Sequence, residues 1–184
     1  MVMKRWIPLL FSVWIGLAGS ARAAKSDFEF FIGAYDPGSE LSGTFFKTAG
    51  LIGFRSGRSI TPFAGTEFSY TLLRNLVDPG KNFTGRAHAF NGNFLLQVPA
   101  GQFIPFGTVG FGTIVGSSNE QIKFRVAPTW NTGGGIKITR IFGPAGLRFD
   151  VRYYRSQTGT ELPLVSREVD FTFAEITGGL LFSW

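Results

Sequence analysis

Residues 146–154 alternate with a period of two, and this limits the chain more than any other feature. Leu147, Phe149, Val151 and Tyr153 fall on one parity; Arg148, Asp150, Arg152 and Tyr154 fall on the other. Successive side chains of a strand point to opposite faces, so one face is apolar and the other is a ladder of alternating charge. The segment 45–56 obeys the same rule, with Lys47 and Arg55 on one parity opposite Phe46, Ile52 and Phe54. In 171–184, Glu175 lies opposite Ile176, Leu180, Phe182 and Trp184. Glu29 faces away from Phe28, Phe30 and Ile32, Glu67 from Ala64, Phe68 and Tyr70, and Lys137 from Trp130, Ile136 and Ile138.

Carried along the chain, the pattern predicts an all-β protein. Eight strands are expected, at about 27–35, 45–56, 60–71, 86–98, 103–115, 127–140, 146–155 and 171–184. Helical periodicity is hard to find after Ala23. Short connectors are expected at 56–59, 99–101 and 141–145, and long ones at 36–44, 72–85, 116–126 and 155–169. Short turns at one rim and long loops at the other match an antiparallel up-and-down transmembrane β-barrel, with both termini on the turn side. No linker or second domain interrupts the pattern.

A soluble sandwich also alternates, with its apolar side chains inward, whereas a membrane barrel reverses the order. Three features favour the reversal. Aromatic residues gather at the expected rims: Tyr35, Tyr70, Trp130, Tyr153 and Tyr154 at the loop end, and Phe103, Phe106 and Trp184 at the turn end, as two interfacial girdles. The charged parity is nearly balanced, with Lys47, Arg55, Lys137, Arg148 and Arg152 against Glu29, Glu67, Asp150 and Glu175. An enclosed lumen needs such balance, because an unpaired buried charge costs several kcal/mol. The same parity holds Gly33, Gly53, Gly65, Gly110, Gly112, Gly133 and Gly135, which make room for long side chains in a narrow interior. The ladder of Arg148, Asp150 and Arg152 is therefore expected to be a salt-bridge plug rather than an ion path.

The amino terminus does not share the alternation. Lys4 and Arg5 precede an uncharged, mostly apolar stretch from Trp6 to Ala18, and Ala21-Arg22-Ala23 supplies a small-x-small cleavage pattern. This order is that of a cleavable secretory signal at 1–23, leaving a barrel domain at 24–184. A stretch of 13 residues covers only about 20 Å of a roughly 30 Å hydrocarbon core, too little for an anchoring helix. Lys4, Arg5 and Arg22 also account for much of the formal charge of +6. The remaining positive residues are scattered, with no nucleic-acid footprint. With no cysteine, the chain has neither a disulfide scaffold nor a thiolate metal site.

The carboxyl terminus, Thr177-Gly178-Gly179-Leu180-Leu181-Phe182-Ser183-Trp184, is a strand with apolar residues on alternate positions and an aromatic at its end. The spacing of Thr177, Gly179, Phe182 and Trp184 resembles the terminal signal of bacterial outer-membrane β-barrels read by the barrel-assembly machinery. Gly146 to Tyr154, preceded by Gly133-Gly134-Gly135-Ile136-Lys137, resembles the outer-membrane protein β-barrel domain family, small barrels similar to the membrane domain of outer-membrane protein A. Pro105 to Gly112, after the turn Val98-Pro99-Ala100-Gly101, is similar to that family's fifth strand. The resemblance runs from Phe28 to Trp184. It implies an eight-stranded barrel in the outer membrane with a plugged polar lumen, and no catalytic site.

The expected function is thus that of a non-enzymatic integral outer-membrane protein with extracellular loops for structural or surface-interaction roles. Its expected partners are outer-membrane lipids and, during biogenesis, the assembly machinery; it is expected to be a monomer, to bind no nucleic acid and to need no cofactor or metal. The loops at 72–85 and 155–169 are the candidates for outward contacts. Two other readings remain. Some eight-stranded barrels modify lipid A acyl chains through a rim histidine with a serine and an acidic residue; here His88 is the only histidine, and Glu67 and Ser69 on the neighbouring strand are the candidates to approach it. A narrow pore or a soluble lipocalin-like carrier is the other reading, and a carrier needs an apolar lumen.

Overall fold

Turn chemistry and alternating apolar residues divide the chain into eight antiparallel strands that form a closed barrel, each paired with its sequence neighbours and the last with the first. The computed structural model describes residues 25–37, 48–78, 83–118, 125–158 and 169–184. Its strands are β1 (Ser26–Pro37), β2 (Ala49–Ser59), β3 (Ala64–Asp78), β4 (Phe83–Gln97), β5 (Phe103–Ser118), β6 (Arg125–Phe142), β7 (Ala145–Thr158) and β8 (Val169–Ser183). Closure runs through β1 and β8, from the pair Asp27–Ser183 to the pair Pro37–Phe173. At its foot Ser26 and Trp184 exchange both backbone hydrogen bonds, at 3.0 and 3.1 Å. A closed ladder has no edge strand and no unpaired row of backbone groups. The expected signal segment 1–23 and Lys47 lie outside the described residues.

All three short connections lie at one end of the barrel, and several expected boundaries move: β5 runs to Ser118, β6 from Arg125 to Phe142 and β7 to Thr158, each into a segment expected to be a connector. The connector expected at 56–59 is strand: Ser56 pairs with Phe28, Gly57 with Asp27 and Arg58 with Ser26. The reversal falls instead at Ile60-Thr61-Pro62-Phe63, where the Thr61 hydroxyl accepts the backbone N–H groups of Phe63 (3.2 Å) and Ala64 (2.9 Å). Pro62 lacks the N–H that a continuing ladder requires. The 72–85 segment is not a long loop. β3 continues to Asp78 and β4 starts at Phe83, with a shift of register between Leu73 and Leu76. Gly101 and Gly143 take left-handed φ values of 66° and 62° at the other two turns, a conformation open to glycine at little cost.

The phase of burial is inverted relative to a soluble sandwich. Outward residues are apolar and exposed: Phe30 (59 %), Ile32 (69 %), Phe149 (51 %), Val151 (51 %) and Leu180 (56 %). Inward residues are ionic and almost completely covered: Glu29, Arg55, Glu67, Arg148, Asp150, Arg152 and Glu175. The closed curvature of eight strands makes this possible, because a barrel of this size encloses a space that side chains can fill.

Candidate functional site

The lumen is layered along its axis. Its middle is an ion cluster built from five strands: Glu29 of β1, Arg55 of β2, Glu67 of β3, Arg148, Asp150 and Arg152 of β7, and Glu175 of β8. Each strand supplies an inward side chain because its apolar parity is committed to the outside. Arg148 donates to Glu67 Oε2 at 2.5 Å and to Asp150 Oδ2 at 2.6 Å. Arg152 donates to Glu67 Oε1 at 2.7 Å, and to both oxygens of Asp150 at 3.0 and 2.9 Å. Arg55 bridges to the other wall, donating to both oxygens of Glu29 at 3.2 Å, to Glu175 Oε1 at 2.8 Å and to Thr177 Oγ1 at 3.1 Å.

Charge-assisted bonds of this kind are roughly twice as strong as neutral ones, and low dielectric strengthens them further. Removing charges from water costs several kcal/mol per ion, so only a connected network offsets the penalty. The network is connected: Glu67 and Asp150 each take two arginines, and a second tier of contacts places Arg55 at 3.8 Å from Asp150 and Arg148 at 3.5 Å from Glu29. Among the described residues, no group of three or more His, Cys, Asp or Glu side chains could hold a metal ion. The carboxylates that converge are taken by guanidiniums.

Aromatic rings pack against the ion cluster. The Arg55 guanidinium lies 3.9 Å over the Phe31 ring, and that of Arg148 lies 4.3 Å over Phe106. Arginine faces stack favourably on such rings. Toward the turns, Lys137 pairs with Asp27 at 2.5 Å. Toward the loops the lumen becomes apolar, with Tyr35, Ala49, Leu51, Leu73, Ala87, Tyr154 and Phe173 in one buried cluster. Tyr154 and Phe173 stack with centroids 4.5 Å apart and planes 4° from parallel.

Tyr35, Tyr154 and Phe106, expected in the outer girdles, therefore lie inside. Each shares its strand's inward parity, and Tyr35 meets Phe173 edge-on at 5.0 Å. Tyr70, Trp130 (55 % exposed), Tyr153 (49 %) and Trp184 (70 %) point outward. In the terminal segment Thr177 and Gly179 face the lumen, while Phe182 and Trp184 face out. A side-chain carbon at Gly179 would lie 2.5 Å from Glu29 Oε1, so glycine there makes room for the ion cluster.

Sequence reasoning missed Asp27 and the cation–aromatic stacks. It also missed a neutral polar wall on β3 to β6, where Asn131 donates to Asn93 Oδ1 at 2.9 Å and Thr129 to Asn91 Oδ1 at 3.3 Å. Parity could have found Asp27, Phe31, Phe106, Thr129 and Asn131, which share a strand face with an identified lumen charge or glycine; β4, which carries Asn91 and Asn93, offered no such marker.

His88 is on the opposite side of the barrel wall. Its Nδ1 lies 2.9 Å from the Tyr70 hydroxyl, and its neighbours across the sheet are Leu72 and Val115. Glu67 and Ser69, expected to approach it, are both 1 % exposed within the lumen. The wall separates them from His88, so they form no triad with it.

No protein-family model matches the sequence, and no curated protein matches it either. Among solved structures, the chain is similar to Neisserial surface protein A, with 10 % identity, TM-score 0.64, and coverage of 90 % of this chain and 100 % of that one. It is similar to Ail of Yersinia pestis in complex with the heparin analogue sucrose octasulfate, with 12 % identity, TM-score 0.54, and coverage of 88 % and 100 %. It is also similar to outer membrane protein AlkL in DMPC bilayers, with 14 % identity, TM-score 0.51, and coverage of 90 % and 92 %. At such identities the likeness is one of fold: the small eight-stranded barrel.

Proposed function

We propose that this chain is a non-enzymatic integral protein of the bacterial outer membrane. In this reading a signal peptide at 1–23 directs export, the barrel of 24–184 crosses the bilayer, and the segments at the loop end make outward contacts. The observation that carries the reading is the inverted phase. A continuous apolar exterior is far larger than a soluble monomer tolerates, and a closed barrel is one of only two backbone arrangements that satisfy every polar group in lipid. Strands of 11 to 18 residues meet or exceed the 9–11 or so needed to cross at a tilt. The barrel fold shared with an outer-membrane protein studied in lipid bilayers supports the same reading.

The plugged lumen favours a structural interior over a pore. Its ionic content is contrary to what a carrier of apolar ligands requires, and the separation of His88 from Glu67 and Ser69 weighs against an enzyme. Expression of the full chain in a Gram-negative host, followed by fractionation and gel mobility with and without boiling, tests the proposal. The protein is expected in the detergent-extracted outer-membrane fraction, with mobility that changes on boiling. Recovery in the soluble fraction without detergent would refute it.

A further inference from the structure

The outward face of β3 and β4 at their loop ends carries a feature that the lumen does not explain. Leu73 and Ala87 are paired and buried inside, so Arg74 and Arg86, each one residue further toward the loops, point outward, and both are exposed. Both fall between the Leu73–Ala87 and Leu76–Gly85 pairs, where the register shifts, on neighbouring strands about 4.8 Å apart. Like charges side by side on adjacent strands destabilise a sheet. Among the described residues neither arginine has an ion-pair partner. Asp36, the described carboxylate on the outward face at this end, accepts a hydrogen bond from the Thr48 hydroxyl at 3.2 Å.

An apolar groove lies directly below the pair. Phe30, Ile52, Phe54, Tyr70 and Leu72 line it over Phe31 and Gly53, around a volume of about 290 Å³. Leu72 and Arg74 are two residues apart on one face of β3, roughly 7 Å. On β2 the outward position next to the Leu51–Leu73 pair is Gly50, and the space that a side chain would fill there is open. The Tyr70–His88 hydrogen bond fixes the β4 side of the groove. Two guanidiniums with no ion-pair partner among the described residues thus stand at the head of a slot that fits a hydrocarbon chain.

We propose that this corner binds one anionic lipid with a phosphate monoester headgroup, its phosphate between Arg74 and Arg86 and one acyl chain along the groove. Arginine forks match phosphate oxygens two at a time, and the phosphate removes the repulsion between the two cations. The proposal rests on the membrane reading above.

The test is native mass spectrometry of the full-length protein, purified in nonionic detergent. The probes are phosphatidic acid, phosphatidylcholine of the same chain length, and inorganic phosphate. Wild type is expected to retain one phosphatidic acid, with about tenfold preference over phosphatidylcholine, on the scale of one extra charge-assisted contact. R74S/R86S is expected to lose the preference. G50F, which fills open space, is expected to weaken phosphatidic acid retention while leaving the barrel folded. Equal retention of the two lipids by wild type, or an unchanged preference in R74S/R86S, would overturn the proposal. Retention of inorganic phosphate as strongly as the lipid would overturn the part played by the groove. Gel mobility before and after boiling separates the two claims: no heat-dependent shift in wild type counts against the membrane reading, whereas a normal shift without lipid preference counts against this site alone.

Discussion

Arg152 shows how a single side chain is held in the lumen. It is fully buried and touches both Glu67 and Asp150, so its removal takes one of two close arginine partners from each carboxylate at once. Breaking a buried pair from one side costs about 3–5 kcal/mol, mostly the penalty of the charge left behind. Arg152→Ala is therefore expected to lower the unfolding free energy by about that amount, as measured by urea titration of the protein in lipid vesicles. Arg152→Met combined with Glu67→Gln is expected to recover part of the loss, because fewer uncompensated charges remain. At this scale the sequence was legible wherever parity was followed. Arg55, Arg148, Asp150 and Glu175 were identified from the faces they share. Tyr35 and Phe106 were misplaced because position near a rim was allowed to outweigh parity, and parity won: both lie on the face of the lumen polar residues. The pairing of particular cations with particular anions was not legible. Arg55 and Glu175 are 120 residues apart, and only barrel closure brings them within hydrogen-bond reach.

Among the strands, β7 makes the sharpest distinction between its two faces. Val151 lies at its middle on the outward parity, and Gly134 and Ile176 are its neighbours across the sheet. If that face meets acyl chains, Val151→Lys places a charge near the bilayer midplane and costs about 2–4 kcal/mol. On the surface of a soluble protein the same change lies within about 0.5 kcal/mol. Vesicle unfolding of the variant is expected to give the larger figure. Strand existence and order were readable from alternation, but the ends were not. Ser56-Gly57-Arg58-Ser59 has the composition of a turn, yet Gly57 faces Asp27 across the sheet, and the reversal waits for Thr61 and Pro62. The segment expected as the 72–85 connector contains the polar residues Arg74, Asn75 and Asp78, and a strand that extends past the apolar band can be polar and still paired. The outward-contact role expected of this segment accordingly shrinks to what lies between Asp78 and Phe83.

The whole molecule is a closed ladder with an ionic middle, and two consequences follow from that arrangement. Its lumen is filled by three arginines, their carboxylates and the apolar cluster around Tyr35 and Phe173. Pure protein in planar bilayers is expected to give no reproducible conductance steps, and steady unitary currents would argue for an open path through these pairs. The central claim concerns direction: apolar side chains toward lipid, charges toward the axis. Because the chain has no cysteine, single cysteines report on their own positions. Fluorophores on V109C, V151C and I176C, against T108C and T129C in the lumen, measured in vesicles with spin-labelled acyl chains, test that direction. Strong quenching is expected at the first three positions and little at the last two. Strong quenching at 108 and 129 with none at 109, 151 and 176 would contradict it.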